Sequence, residues 1–139
     1  MTPARMAAIH ARAFTDHRPW SDSEFAALLD DPQVFCVAQG ADCFALGRVV
    51  LDEAELLTIA TDPAAQRQGL ARQCLARFLS DCAARGAARV FLEVDAANAP
   101  AQALYGVAGF VESGRRKGYY RHADGQRSDA VLMSTSFSN

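Results

Sequence analysis

Two stretches of this sequence hold residue types at spacings that could do chemistry. The first is Gln66-Arg67-Gln68-Gly69-Leu70-Ala71-Arg72, between a strand-like run and the start of a long amphipathic segment. The first turn of a helix carries backbone N–H groups without internal partners and a partial positive charge, so it can hold a phosphate or diphosphate. Gly69 and Ala71 keep side chains out of the way, and Arg67 and Arg72 offer charge-assisted contacts. The same letters also suit an ordinary surface helix start with scattered arginines. A P-loop would need Gly followed by Lys and Ser or Thr, and a dinucleotide fingerprint would need three glycines; neither pattern is met here. The second stretch is Val90-Phe91-Leu92-Glu93-Val94, an apolar run with one carboxylate. Burial there would raise the Glu93 carboxyl towards neutrality and make it a proton acceptor, whereas simple strand alternation would turn it to solvent.

These residues need elements to position them, and the chain supplies clear signals. Thr2-Pro3 suits the N-cap and first position of a helix carrying Met6, Ile9 and Ala13. Ser21 and Glu24 form a capping box, with Trp20 and Phe25 placed for a hydrophobic staple, so a second helix is expected to about Leu29. Val34 to Ala38 and Phe44 to Leu51 read as a hairpin, and Glu55 to Thr61 as a third strand ended by Asp62-Pro63. Gly69 to Arg85 has Leu70, Cys74, Leu75, Phe78, Leu79 and Cys82 at helical spacing and stops before Gly86. Arg89 to Val94 is a strand, Asn98 caps a helix to about Val107, and Phe110 to Tyr120 and Ser128 to Ser136 are strands joined through Asp124-Gly125. The order predicts an α/β (α+β) fold with a central mixed sheet flanked by helices.

Composition limits what such a fold does. The 139 residues, half of them hydrophobic, suit a single domain spanning 1–139. With 22% charged residues and a net charge of -2, there is no bulk positive field to gather nucleic acid. The first residues lack a secretory pattern and no run is long and apolar enough to cross a bilayer, which predicts a cytoplasmic chain without membrane contact. Cys36, Cys43, Cys74 and Cys82 form no C-x-x-C pair, so reduced, buried thiols are expected rather than a metal site or disulfides.

Several motifs in order sharpen this. Glu55 to Pro63, then Gln66-x-x-Gly69-x-Ala71, then Phe91-Leu92-Glu93-Val94, Asn98, Ala103-Leu104-Tyr105 and Gly109-Phe110 resemble the motifs of GNAT acetyltransferases. Arg115 to Tyr120 and Asp129-Ala130 are similar to the tail of RimI-like enzymes, the ribosomal-protein alanine N-acetyltransferases. The likeness runs from Trp20 to Met133. It implies the GNAT fold, with a mostly antiparallel sheet, and acetyl-CoA as cosubstrate without a metal. It also implies that the backbone of Ile59, Ala60 and Thr61 pairs with the pantetheine arm. Residues Arg67, Gln68, Gly69, Leu70, Ala71 and Arg72 would hold the diphosphate, and Asn98 would sit near the thiol end. Glu93 would take the amine proton, directly or through water, and Tyr105 would protonate the departing thiolate in a direct transfer through a ternary complex. For Asn98 a plain helix cap, and for Tyr105 a core aromatic beside Leu104 and Phe110, are the alternatives. Cys74 is a second nucleophile on paper, but no histidine lies near it in sequence.

The acceptor implied is the N-terminal amine of a peptide or protein, a ribosomal protein by resemblance, with Trp20, Tyr119 and Tyr120 as candidate walls of its groove. A lysine or small-molecule amine, and a non-catalytic acetyl-CoA sensor, stay open. So does the choice between monomer and homodimer. Two departures stand out: the chain opens on a helix, so the family's first strand is shortened or absent, and Ala71 replaces a common glycine.

Overall fold

A computed structural model describes residues 1–15 and 17–137. Helix α1 (Pro3–Ala13) starts at Thr2, whose hydroxyl accepts from the Arg5 amide at 3.1 Å. Helix α2 (Asp22–Leu29) has the reciprocal Ser21 and Glu24 capping box, and Trp20 meets Phe25 with ring centroids 5.5 Å apart, the expected staple. Strands β1 (Val34–Gln39), β2 (Cys43–Val50) and β3 (Glu53–Thr61) form an antiparallel meander. A short 3-10 turn at Pro63–Ala65 then leads to α3 (Leu70–Ala84). Helix α3 ends in a Schellman motif: the Gly86 amide donates to Ala83 and the Ala87 amide to Cys82, with Gly86 at φ 94°. Strand β4 (Arg89–Asp95), helix α4 (Ala99–Val107) and strands β5 (Val111–Arg121) and β6 (Arg127–Ser136) complete the chain.

The six strands run in the order β1-β2-β3-β4-β6-β5, antiparallel except where β3 meets β4. Helices α1 and α2 cover one face through Met6, Ile9 and Phe25 packed on Val34, Phe44, Leu46 and Ala60. Helices α3 and α4 cover the other, where Leu75, Phe78 and Tyr105 pack against Val90, Leu92 and Val94. Burying such apolar faces supplies the main drive to fold. No strand precedes α1 among the described residues, so β1 is a sheet edge.

Two irregularities matter for the site. Strand β2 shifts register against β3 between Leu46 and Gly47, leaving Leu57 without a partner residue on β2. A side chain at Gly47 would run into the Phe78 ring, which stacks on Phe35 with centroids 5.4 Å apart. The bulge thus lets α3 lie close to the sheet. The second irregularity is the junction of β3 and β4, paired only over Glu53–Glu55 and Arg89–Phe91.

Candidate active site

Beyond Glu55 the two central strands part. Residues 56–61 of β3, Leu57 at the bulge apart, stay paired with β2 but among the described residues have no strand partner on the β4 side, so their backbone donors and acceptors face an opening. A cleft of about 740 Å³ fills this gap, walled by Leu56 to Thr61, Leu92 to Asp95, α1, the loop after it, and the start of α4. Asp62 fixes the end of β3: its carboxylate accepts from the Ala64 amide at 3.1 Å, from Arg12 at 3.2 Å and from Arg5 at 3.3 Å. Those contacts, the amide bond foremost, hold its carboxyl below the usual range although burial opposes them.

The chain then reaches α3 through two left-handed residues, Arg67 at φ 66° and Gly69 at φ 76°. Gly69 is the N-cap, and among the described residues no side chain caps the amides of the first turn. A helix start open in this way offers N–H groups to an anion. Gln66 and Ala71 from this segment line the cleft.

Glu93 and Tyr105 enter the same cleft from β4 and α4. Glu93 is 28% exposed at its side chain and pairs with Arg116 at 3.1 Å. Of the two outcomes the apolar run left open, burial and strand alternation, the fold takes the second. The run alternates, with Leu92 and Val94 turned to the core and Glu93 turned to the cleft. Tyr105 is buried, its ring 6.0 Å from Phe110, and burial with the neighbouring Tyr120 pushes its hydroxyl well above the usual phenol range. It keeps its proton and can donate it. Asn98 caps α4, accepting from the Ala101 amide at 3.2 Å, and lines the cleft as well. Cys74 is fully buried, its thiol donates to the Val37 carbonyl at 3.5 Å, and the neighbouring Cys43 thiol together with burial holds it above the usual thiol range.

A further cluster lines the same cleft beside the loop after α1. Asp95, 8% exposed, accepts from the Ser128 hydroxyl and from the Ala97 amide at 2.9 Å. Its Oδ2 lies 3.2 Å from Nε2 of His17 and 3.3 Å from Nε2 of His122. Burial would raise this carboxyl, but the Ser128 and Ala97 bonds and the two imidazoles outweigh it and hold it below the usual range. The His17 ring packs on Tyr120 at 5.1 Å. Tyr120 is pushed up to about 12, first by burial and then by the charges of Glu93 and Asp95. Among the described residues no group of three His, Cys, Asp or Glu is placed to hold a metal ion.

The chain matches the acetyltransferase (GNAT) family over residues 4–110. It is 42% identical over 135 residues to the [ribosomal protein bS18]-alanine N-acetyltransferase of Escherichia coli K12, covering 95% of this chain and 90% of that protein. The chain belongs to the GNAT acetyltransferase family. Another relative, the N-alpha-acetyltransferase RimI of Mycobacterium tuberculosis, is 37% identical over 84% of this chain and 77% of its own. The crystal structure of the E. coli ribosomal-protein-S18-alanine N-acetyltransferase superposes with a TM-score of 0.88 at 39% identity, over 99% of this chain and 88% of that one. Arabidopsis thaliana NAA60 in complex with acetyl-CoA shares the fold, with a TM-score of 0.81 at 18% identity over 99% and 94% of the two chains.

GNAT acetyltransferases use acetyl-CoA, and the residues present fit it. The unpaired edge of β3 suits an extended amide-bearing arm, and the uncapped start of α3 suits a diphosphate. Of the residues anticipated for this cosubstrate, Ile59, Ala60, Thr61, Ala71 and Asn98 wall the cleft, while Arg67, Gln68, Gly69 and Arg72 are exposed beside it and Leu70 packs on the core. Of the three aromatics considered for the acceptor groove, Tyr120 and Trp20 line the cleft, while Tyr119 lies outward, under the Arg116 guanidinium at 5.2 Å. The sequence reading missed His17, Asp95, His122 and Ser128. They come from three separate segments, and only the odd-even place of Asp95 beside Glu93 on β4 hinted at a shared wall.

Proposed function

We propose that this GNAT enzyme acetylates the N-terminal α-amine of a protein, of the ribosomal-protein alanine type, by direct attack within a ternary complex. The single observation carrying the reading is the parting of β3 from β4, which leaves Glu93 and Tyr105 on the walls of one cleft below an open β3 edge. The likeness to bS18-alanine N-acetyltransferases over nearly the whole chain supports the choice of acceptor.

In this reading the backbone of Ile59, Ala60 and Thr61 binds the pantetheine arm, and the turn from Arg67 to Arg72, including Gln68, Gly69, Leu70 and Ala71, holds the diphosphate. Asn98 adds a contact near the thioester end. Amides along β3 steady the negative charge that develops on the thioester oxygen. Glu93, through water, takes a proton from the attacking nitrogen, and its pairing with Arg116 orients it. Tyr105, held protonated by burial, gives its proton to the leaving sulfur. The four free thiols fit a reducing compartment and support a cytoplasmic location.

The test is release of CoA measured across Ala-initiated peptides, a lysine peptide and small amines. We expect the Ala-initiated peptide to be the best acceptor. Glu93→Gln and Tyr105→Phe should each lower kcat about 100-fold, the usual scale for losing a positioned acid or base. Parent-like turnover in both variants would refute the assignment, a preference for small amines would refute the acceptor, and cofactor binding with no acetylation of anything would favour a sensor.

A further inference from the structure

An α-ammonium that becomes an amide gives up two protons. One ends on the CoA sulfur and the other must leave the site, because the α-amine, with an ordinary pKa of about 8, arrives largely protonated near neutrality. Glu93 is a single carboxylate already engaged with Arg116, and nothing in the reading above accounts for the second proton.

The cluster of His17, Asp95, His122 and Ser128 has the parts to carry it. Asp95 is ionised and can only accept, so His17 must present Nε2–H to it across 3.2 Å. Ser128 gives its hydroxyl proton to Asp95, so its oxygen accepts from Nε2–H of His122 across 2.7 Å. Both rings are thereby set in one tautomer, with the lone pair on Nδ1, the arrangement a carboxylate imposes on an imidazole that serves as a base. The rings lie 5.6 Å apart on the wall of the cleft, partly open to solvent, whereas Tyr105 reaches the cleft from a largely buried position. Among the described residues, the other ionisable groups around the cleft are His10 from α1, Arg18 from the loop after it, Glu93 from β4, Tyr120 and Arg116 from β5 and Tyr105 from α4. Histidine is the side chain suited to exchanging protons with water near pH 7.

We propose that His17 and His122, oriented by Asp95 and Ser128, form the proton exit of the acceptor site. The step balances. An N–H bond of the ammonium breaks as Nδ1 of an imidazole takes the proton, and the neutral amine then attacks the thioester carbon. As the C–N bond forms and the C–S bond breaks, Glu93 takes the second proton and Tyr105 protonates sulfur. The imidazolium returns its proton to water, and Glu93 and Tyr105 restore each other's starting state through solvent, for a net release of one proton.

This inference rests on the amine-acetylation reading, so the assay separates the two. CoA release is followed at saturating acetyl-CoA with the amine that the parent uses best, for His17→Gln, His122→Gln and the double variant, alongside melting temperatures. The double variant is expected to lose about 100-fold in kcat, with the KM for acetyl-CoA unchanged. Added imidazole is expected to restore part of the rate in His17→Gly or His122→Gly. Parent-like kcat in the double variant overturns the proposal, and so does a loss that imidazole never relieves. A parent that acetylates no amine overturns this proposal and the reading beneath it together.

Discussion

Acidification should loosen this enzyme through one buried imidazole. His10 on α1 is 4% exposed, stacks on Trp20 at 5.0 Å and accepts the Trp20 amide proton on Nδ1 at 3.2 Å. Burial first, then the nearby Arg18 cation, lowers its pKa from 6.5 to about 4. In the unfolded chain the ring takes up a proton as pH drops through 6.5, while the folded protein resists until about 4. The unfolded state therefore binds more protons in that window, so the stabilising contribution is complete above it and is lost as pH falls. Taking the full shift, His10 should cost the fold about 2 kcal/mol between pH 6.8 and pH 5.0, as an upper figure. The assay is urea unfolding of the parent and of His10→Gln at both values. The cost of altered packing is present at either pH and cancels when the two changes with pH are subtracted. Were the parent to lose less than about 0.5 kcal/mol more than the variant, about a quarter of the expected cost, the neutral, sealed imidazole would be refuted.

Two glycines allow sharper tests of backbone demands. Gly69→Val forces a branched residue into φ 76° at the open helix start, so acetyl-CoA affinity measured by calorimetry should fall at least about tenfold, the equivalent of 1.4 kcal/mol. Gly86→Ala, at φ 94° with open space around it, should cost similar stability and leave that affinity alone; equal affinities in both variants would dissociate the helix start from binding. Gly47→Ala should destabilise by about 1–3 kcal/mol in denaturant unfolding, since the new methyl meets the Phe78 ring, and a neutral effect would show that α3 can slide.

Features written in neighbouring residues were legible in the sequence. The Thr2 cap, the Ser21 and Glu24 capping box, the Trp20 and Phe25 staple and the Gly86 stop each depend on residues within a few positions of one another, and all appear in the fold. Each strand boundary was read within about two residues of its observed place. The small 3-10 turn was not, because a three-residue helix has no periodicity to detect. For Glu93 the sequence left burial and strand alternation open, and only the fold decides: alternation and an arginine from β5 leave it half-open and paired. The His17, Asp95, His122 and Ser128 cluster is assembled from a loop, β4 and the end of the β5–β6 hairpin, and beyond the alternation that puts Asp95 on the Glu93 side of β4, spacing along the chain carries no trace of such a meeting. Likewise, nothing local in Glu55 or Phe91 announced that pairing would cease there.

That three-residue seam between Glu53–Glu55 and Arg89–Phe91 divides the sheet into two jaws, β1-β2-β3 and β4-β6-β5. Their hydrogen-bonded hold on each other is brief, and behind it a single apolar core shared with α3 and α4 runs across both. A guest lying along the bare flank of β3 would act as a borrowed strand, knitting together what the polypeptide leaves unstitched. Loading the enzyme and tightening its architecture thus become one event, and heat resistance should track cosubstrate concentration.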